Sequence, residues 1–421
     1  MITPTDRAYA LARDAADPLT SYRSQFVDDG TLIYMDGNSL GRLPHATATR
    51  LRQATDTEWG QQLIRGWQHG WYEAPQRIGD AIGGLLGAAP GTTIACDSTS
   101  INLFKLVVAA LRMRPGRTTI VSDTLNFPSD LYIIQGAIDL LAAGHTLQLV
   151  PAHDGLTVRD EDLNAVIDDT TALVLLSHVA FKSGFLYDMA AITRQAHAAG
   201  ALVLWDLSHS AGVIPTALDT WNVDFAVGCC YKYLNGGPGA PAYLYVNARH
   251  QQDAVSPIWG WFGRKAPFGF DLDYTPAAGI DRWLAGTPPM LSLLAIEPGV
   301  AMIAEAGIDT VRAKAVALTE YAIALVDALP ARLGFSIGSP RAAVQRGSHV
   351  SVRHAEGYRI CRALIERLNV LPDFREPDNI RLGMAPLTTS FVDVWETIDR
   401  IRRALDEGIY TEFSATRNAV T

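Results

Sequence analysis

The sequence predicts an α/β fold: a large domain built on a mostly parallel sheet covered by helices, plus a smaller α+β domain. Three observations carry this expectation. Between about residues 90 and 250, short β-branched apolar runs alternate with longer helix-period segments, with Gly, Pro and Asp between them. Several of these runs are apolar without interruption, as parallel strands covered on both faces are. After about residue 295 the texture changes to a long helical stretch followed by scattered strand and helix segments.

Taken in order, residues 31–35 read as a strand that packs somewhere other than the middle of the main sheet. Strands are expected at 118–123, 146–150, 172–178, 201–207, 224–230 and 243–246, with helices at 129–143, 160–168 and 188–199. A further helix, INLFKLVVAALRM, follows Asp97-Ser98-Thr99-Ser100. Beyond it come a helical stretch at 291–329, a strand at 349–353, a helix at 357–368, a short segment at 379–384 and a final helix at 391–406. The expected division is an N-terminal segment, 1–45, packing with the small domain, a large domain, 46–295, and a small C-terminal domain, 296–421. A chain of 421 residues that is 48% hydrophobic and 19% charged has enough apolar material for both.

Composition also excludes some partners. With 35 basic and 44 acidic residues the net charge is −9, which argues against a nucleic-acid or anionic-membrane footprint. The four cysteines have no metal-ligand spacing, and adjacent Cys229 and Cys230 lie in an apolar run where buried thiols are expected. No metal is expected. The N-terminus is charged throughout and no apolar run nears the ~20 residues that span a bilayer. A soluble, reducing, cytoplasmic setting is the expectation.

Lysine is scarce: Lys105, Lys182, Lys232, Lys265 and Lys314 are the whole set. Lys105, in mid-helix, and Lys314, among polar neighbours, read as solvated or snorkelling residues, and Lys182 and Lys265 as loop residues. Lys232 differs, because it ends the apolar run DFAVGCCYK and meets the loop YLNGGPGAP. It therefore projects from the rim of the sheet into the crevice where open α/β sheets bind ligands. Desolvation in such a place makes lysine a usable amine nucleophile. Asp206 ends the run ALVLWD, and His209 follows it. A carboxylate there can pair with a protonated pyridine nitrogen, the pairing that lets pyridoxal phosphate (PLP) withdraw electrons. The hydroxyls and free N–H groups at 97–100 suit a phosphate at a helix start, although plain N-capping explains them as well. Phe127, in NFPSD, can stack on a planar ring. Together these residues point to PLP held as a Schiff base by Lys232, with Tyr231 beside it as a candidate general acid.

Gly37-Asn38-Ser39-Leu40-Gly41 matches the G-x-S-x-G elbow of serine hydrolases. That elbow needs a preceding central strand and a following helix, whereas Arg42-Leu43-Pro44 follows here. A hydrolase using Ser39 is accordingly the weaker reading. No dinucleotide fingerprint, Walker loop or HExxH motif is present, and Gly236–Gly239 read as a turn.

With these residues assembled, the sequence resembles kynureninase, in the class V aminotransferase-like group of fold-type I PLP enzymes. YMDGNSLGRLP, NFPSD, WDLSHSAG, CCYKYLNGGPGAP, GWFGRKAPF and NIRLG carry the resemblance, which spans most of the chain. It implies the fold-type I PLP-dependent transferase architecture and a homodimer with the active site at its interface. It also implies hydrolysis of L-kynurenine, or its 3-hydroxy form, to anthranilate and L-alanine in tryptophan catabolism. By the same resemblance Lys232 forms the internal aldimine and moves the α-proton, Asp206 pairs with the ring nitrogen and His209 lies beside the ring. Thr99, Ser100, Tyr231, Trp261 and Thr287 surround the phosphate, some across the dimer interface. Phe127 and Asp130 flank the ring, with Pro128, Ser129 and Ser177 also at the cofactor. Arg381 holds the substrate carboxylate in a bidentate fork, and Ser39 and Trp67 line the substrate pocket. Thr287 is the variant that implies preference for kynurenine itself. The alternatives are an aminotransferase, a cysteine desulfurase, which would need a mobile cysteine that helix-bound Cys361 does not offer, or a protein of this fold that binds without catalysis.

Overall fold

The computed structural model describes residues 3–28 and 30–416. Its strands are β1 (Ile33–Tyr34), β2 (Thr93–Ala95), β3 (Thr119–Asp123), β4 (Thr146–Val150), β5 (Thr171–Ser177), β6 (Leu202–Asp206), β7 (Phe225–Cys229) and β8 (Ala242–Val246), then β9 (Ser336–Ile337), β10 (His349–Arg353), β11 (Val370–Leu371), β12 (Asp373–Arg375) and β13 (Asn379–Gly383). The main sheet runs β2-β8-β7-β6-β5-β3-β4, and only β8 opposes its neighbours. The α/β architecture with a mostly parallel sheet is as expected.

Alternation of side chains explains why the central runs are apolar throughout. In β6, Leu202 and Leu204 pack into one core with Leu173, Leu175, Phe225 and Val227. Val203 and Trp205 point the other way, with Val174, Leu176 and Ala226. Helices cover both faces, so neither half of the alternation meets water. Each such aliphatic side chain contributes roughly 1.5–3 kcal/mol of transfer free energy.

The second sheet runs β12-β13-β10-β9, all antiparallel, and here one face is polar. Val350, Val352, Ile380 and Leu382 face an apolar core shared with helices Ile308–Asp327, Gly357–Arg367 and Phe391–Asp406. Asp373, Arg381 and Ser351 form a cross-strand row on the other face. That face is latched to the residues after β5: Arg381 Nη1 donates to the Phe181 carbonyl (2.7 Å) and Ser351 Oγ to that of Lys182 (2.6 Å). β1 pairs in parallel with β11, outside the main sheet.

Three expectations need correcting. The stretch 291–329 is not continuous: helices Met290–Leu294, Ile296–Ala306 and Ile308–Asp327 follow one another, with Gly307 at φ +77°. Lys105 is not solvated. It is fully buried, and its Nζ donates to Asp97 and to the Trp283 carbonyl (2.6 Å). Lys314 is buried too, paired with Asp17 at 2.6 Å. A run of apolar neighbours on every side of Lys105 was the available signal, because a helix without a polar face gives its lysine no way out to water. Among the described residues no single helix is long and apolar enough to cross a membrane, although the bent pair Met290–Ala306 and Ile308–Asp327 passes by length and composition together.

Candidate active site

Parallel strands deliver their last residues to one edge of the sheet. Ser177 and Asp206 end β5 and β6 in direct register, and Lys232 follows β7 in the connection to β8. Asp206 is 5% exposed, and its Oδ1 accepts from the backbone N–H (2.8 Å) and hydroxyl (2.6 Å) of Ser208. The turn that follows β6 thus closes on the carboxylate and holds it at the strand end.

Lys232 Nζ lies 2.9 Å from His209 Nε2. Burial, then the charges of Lys232 and Arg381, push the His209 pKa well below its ordinary value, so the ring is neutral and can accept from the lysine. Its Nδ1 is buried without a hydrogen-bond partner. The buried ring of His349 lies 5.7 Å from it.

Asp130 reaches the same place from the first turn of helix Pro128–Leu141. It is 2% exposed, and burial together with the Asp206 carboxylate raises its pKa well above the ordinary value. Its Oδ2 has no hydrogen-bond partner among the described residues. Two buried carboxyls with one oxygen unsatisfied are matched by a cationic N–H donor, which is what a pyridinium presents. Phe127 precedes this helix and meets Phe181 edge-on at 5.3 Å, leaving its ring 45% exposed. Asn126 joins the strand ends by accepting from Ser177 Oγ (2.7 Å).

The phosphate end fits as well. Helix Thr99–Met113 starts beside this edge, with Ser98 as its N-cap, and Ser100 Oγ lies 3.2 Å from Ser129 Oγ. Two helix N-termini, 99–113 and 128–141, therefore bring hydroxyls and free N–H groups together, a setting that favours a phosphate. Tyr231 is 36% exposed, and burial, then Cys229, raises its hydroxyl pKa, so it remains a protonated donor. The residues present fit PLP.

The GNSLG segment belongs to this site and not to a hydrolase elbow. Gly41 N donates to the Tyr231 carbonyl (2.8 Å), and a Cβ there would lie 2.4 Å from the Lys232 carbonyl oxygen. Gly383 opposes Asn38 so closely that a Cβ would fall 1.7 Å from Asn38 Oδ1. Ser39 Oγ accepts from Arg381 Nη2 (2.7 Å) and donates to Asp373 (3.2 Å), so its partners are an arginine and a carboxylate, not a histidine base.

Trp67, Trp261 and Thr287 are not brought to this cluster. They line a cavity of about 830 Å³ with Ile64, Tyr72 and Phe268, and none of Lys232, Asp206, His209 or Arg381 lines it. Residues that sequence reasoning missed are Ser208, which fixes Asp206, and Asp373, which fixes Arg381. The alternation of Asp373 and Arg375 opposite Asn379 and Arg381 was a usable period-2 signal for the latter.

Among solved structures, the apo cysteine desulfurase of Thermococcus onnurineus NA1 aligns with TM-score 0.79 at 18% identity, covering 92% of this chain and 98% of that one. A cysteine desulfurase of Escherichia coli gives 0.78 at 19%, covering 92% and 98%. At such identity the likeness is one of fold. Residues 311–401 match the family model for the kynureninase C-terminal domain. The kynureninase of Pseudomonas fluorescens is 42% identical over 99% of this chain and 100% of its own. That of Burkholderia pseudomallei (strain 1106a) is 44% identical over 99% of both. A likeness of this degree from end to end settles what the folds of more distant proteins leave open: the chain belongs to the kynureninase family.

Proposed function

We infer that this chain hydrolyses L-kynurenine to anthranilate and L-alanine with pyridoxal phosphate as cofactor. Full-length identity of 44% to a kynureninase carries the reading. When bound, the cofactor supplies a carbonyl that takes the substrate amine and an electron-withdrawing ring that stabilises charge at the α-carbon. Lys232 is the residue that would hold it through Nζ, and its free amine is placed to take the substrate's α-proton. The 2.9 Å contact of Lys232 with neutral His209 supports this, because the imidazole accepts a hydrogen bond from the amine and fixes where Nζ points. Asp206, next to Asp130, would keep a proton on the ring nitrogen, Ser177, Phe127 and Pro128 would wall the ring, and Thr99, Ser100, Ser129 and Tyr231 would hold the phosphate end. Tyr231 also delivers a proton as the carbon–carbon bond breaks. Arg381, with Ser39, orients the substrate carboxylate.

A cysteine-based desulfurase is disfavoured by Cys361, which is fully buried in helix Gly357–Arg367 with its thiol pKa raised by burial. Thr287 supports kynurenine over its 3-hydroxy form, and Trp67 is a substrate-pocket residue. The separate cavity of Trp67, Trp261 and Thr287, rimmed by exposed Ile64 and Phe268, supports a homodimer in which each copy completes its partner's site. Sedimentation showing only 45.6 kDa monomers at micromolar concentration would overturn that arrangement. We further propose a cytoplasmic setting and the domain division 1–45, 46–295 and 296–421.

The deciding experiment incubates PLP-saturated protein with L-kynurenine and measures anthranilate and alanine in one sample. Equal amounts of both are expected. Neither product, from protein that binds PLP, would move the substrate to another amino acid.

A further inference from the structure

Arg381 is 1% exposed, and its hydrogen bonds divide by edge. Its side-on edge forks onto Asp373: Nε donates to Oδ1 at 2.9 Å, and Nη2 donates to Oδ2. On the outer side Nη2 donates to Ser39 Oγ and Nη1 to the Phe181 carbonyl, each at 2.7 Å. A guanidinium has five N–H groups, so one on Nη1 remains, beside an Nη2–H held only by a hydroxyl that can rotate away. Nη1 and Nη2 are the end-on pair, the other geometry in which arginine takes a carboxylate bidentately.

Asp373 is itself 5% exposed, and it also holds Arg375 at 2.7 Å. An ion pair this deeply buried is a poor source of stability, since desolvating both charges offsets much of their attraction. What it provides is direction. Arginine carries about 2 kcal/mol of rotamer entropy, which would have to be lost on ligand binding if the side chain were free. Held by Asp373 from one side and by the Phe181 carbonyl from the other, the planar group has one orientation before substrate arrives.

We propose that Asp373 is a positioning residue for the amino-acid substrate: by occupying the side-on edge of Arg381, it aims the end-on edge at the α-carboxylate. The proposal rests on the reading of Arg381 as the carboxylate-binding residue. Charge in the cluster agrees with it. Asp373 sits between the cations of Arg381 and Arg375, and Asp36, 3.8 Å from Arg381 Nη2, has its carboxyl pushed up to about 7 by burial and by Asp373. Below about pH 7, where Asp36 is mostly protonated, the cluster holds one positive charge in excess, enough for one incoming carboxylate.

The test uses Asp373→Asn, Asp373→Glu and Arg381→Gln holoenzymes. Asp373→Asn should raise KM for L-kynurenine about tenfold or more while kcat stays within about threefold, the signature of lost ground-state and transition-state binding alike. A second readout is the rise in Tm on adding L-alanine or L-alaninamide, which share an amine but differ in the carboxylate. Asp373→Asn should lose most of the L-alanine shift and keep the L-alaninamide shift, with Asp373→Glu intermediate. If Asp373→Asn does not fold, the same selective loss in Asp373→Glu supports the proposal, and wild-type behaviour in Asp373→Glu overturns it. Should Arg381→Gln still discriminate between the two ligands, the reading of Arg381 is wrong. Should Arg381→Gln lose that discrimination while Asp373→Asn retains it, Arg381 stands and the role of Asp373 falls.

Discussion

Two buried aspartates at opposite edges of the main sheet show how differently one fold can treat the same side chain. Asp224 immediately precedes β7, at the amino edge, and its side chain is 1% exposed. Its carboxylate accepts from the Val203 N–H (2.8 Å), lies 2.8 Å from His197 Nε2 and 2.7 Å from His250 Nε2, and pairs with Arg249. Burial alone would raise its pKa, but the bonds from His197, His250 and Arg249 more than offset this and hold it well below the usual range. At the carboxyl edge, Asp206 Oδ1 accepts from the turn of Ser208, and Asp130 beside it keeps Oδ2 without a partner among the described residues. A carboxylate saturated by its own protein holds strands together, whereas one left short of donors is shaped for something that arrives later.

This contrast can be broken from either side. The largest expected effect is on chemistry. Lys232→Ala should lower anthranilate production by on the order of 10⁴-fold, the upper end of what a positioned proton-transfer group contributes, while Tm stays near wild type, because what the amine gives up among the described residues is one hydrogen bond, to His209. Near-normal turnover in that variant would remove the basis for the carboxyl-edge site. Next in size, Asp224→Asn should cost about 3–5 kcal/mol of stability, as removal of one partner from a buried charge network does, read as a fall in denaturation midpoint. Turnover per folded molecule should not change. A variant of full stability and lost turnover would reverse the two roles.

The smallest effect is the pH dependence of that second loss. The folded pKa of Asp224 lies below its ordinary value of 3.8. Its contribution is therefore present above about pH 4 and lost as pH falls through the folded value. The stability gap between wild type and Asp224→Asn should narrow between pH 6 and pH 3, and a gap that stayed constant would show that the charge of Asp224 is not what stabilises the sheet.

β4, β10 and the helix Phe391–Asp406 fall on the expected residues although each keeps a face outside the apolar core. The central strands shift by about one residue, because two covered faces leave a continuous apolar run to read but blur its ends. β2 was not anticipated: three residues after a Pro-Gly turn carry too little periodicity. The Lys232, Asp206 and His209 cluster was legible because parallel strands must end at one edge, so residues distant in sequence share a rim. The burial of Lys314 against Asp17 depends on which elements pack together, and the residue types alone do not encode that. The same holds for the separation of Trp67, Trp261 and Thr287 from Lys232 within one chain.

The single antiparallel strand has a consequence for how such an enzyme can change. β8 returns beside β7, with Cys229 paired to Ala242, so the segment bearing Lys232 is anchored at both ends by the same ladder. Inside it, Asn235 N donates to the Lys232 carbonyl (2.9 Å) and Gly236 N to that of Cys230 (2.8 Å). Insertions there would propagate into two core strands at once. The segment at 255–287 carries no such double anchorage in the main sheet. Diversification of substrate scope, by natural drift or by directed libraries, has its room there, while the lysine hairpin behaves as the inherited constant around which it varies.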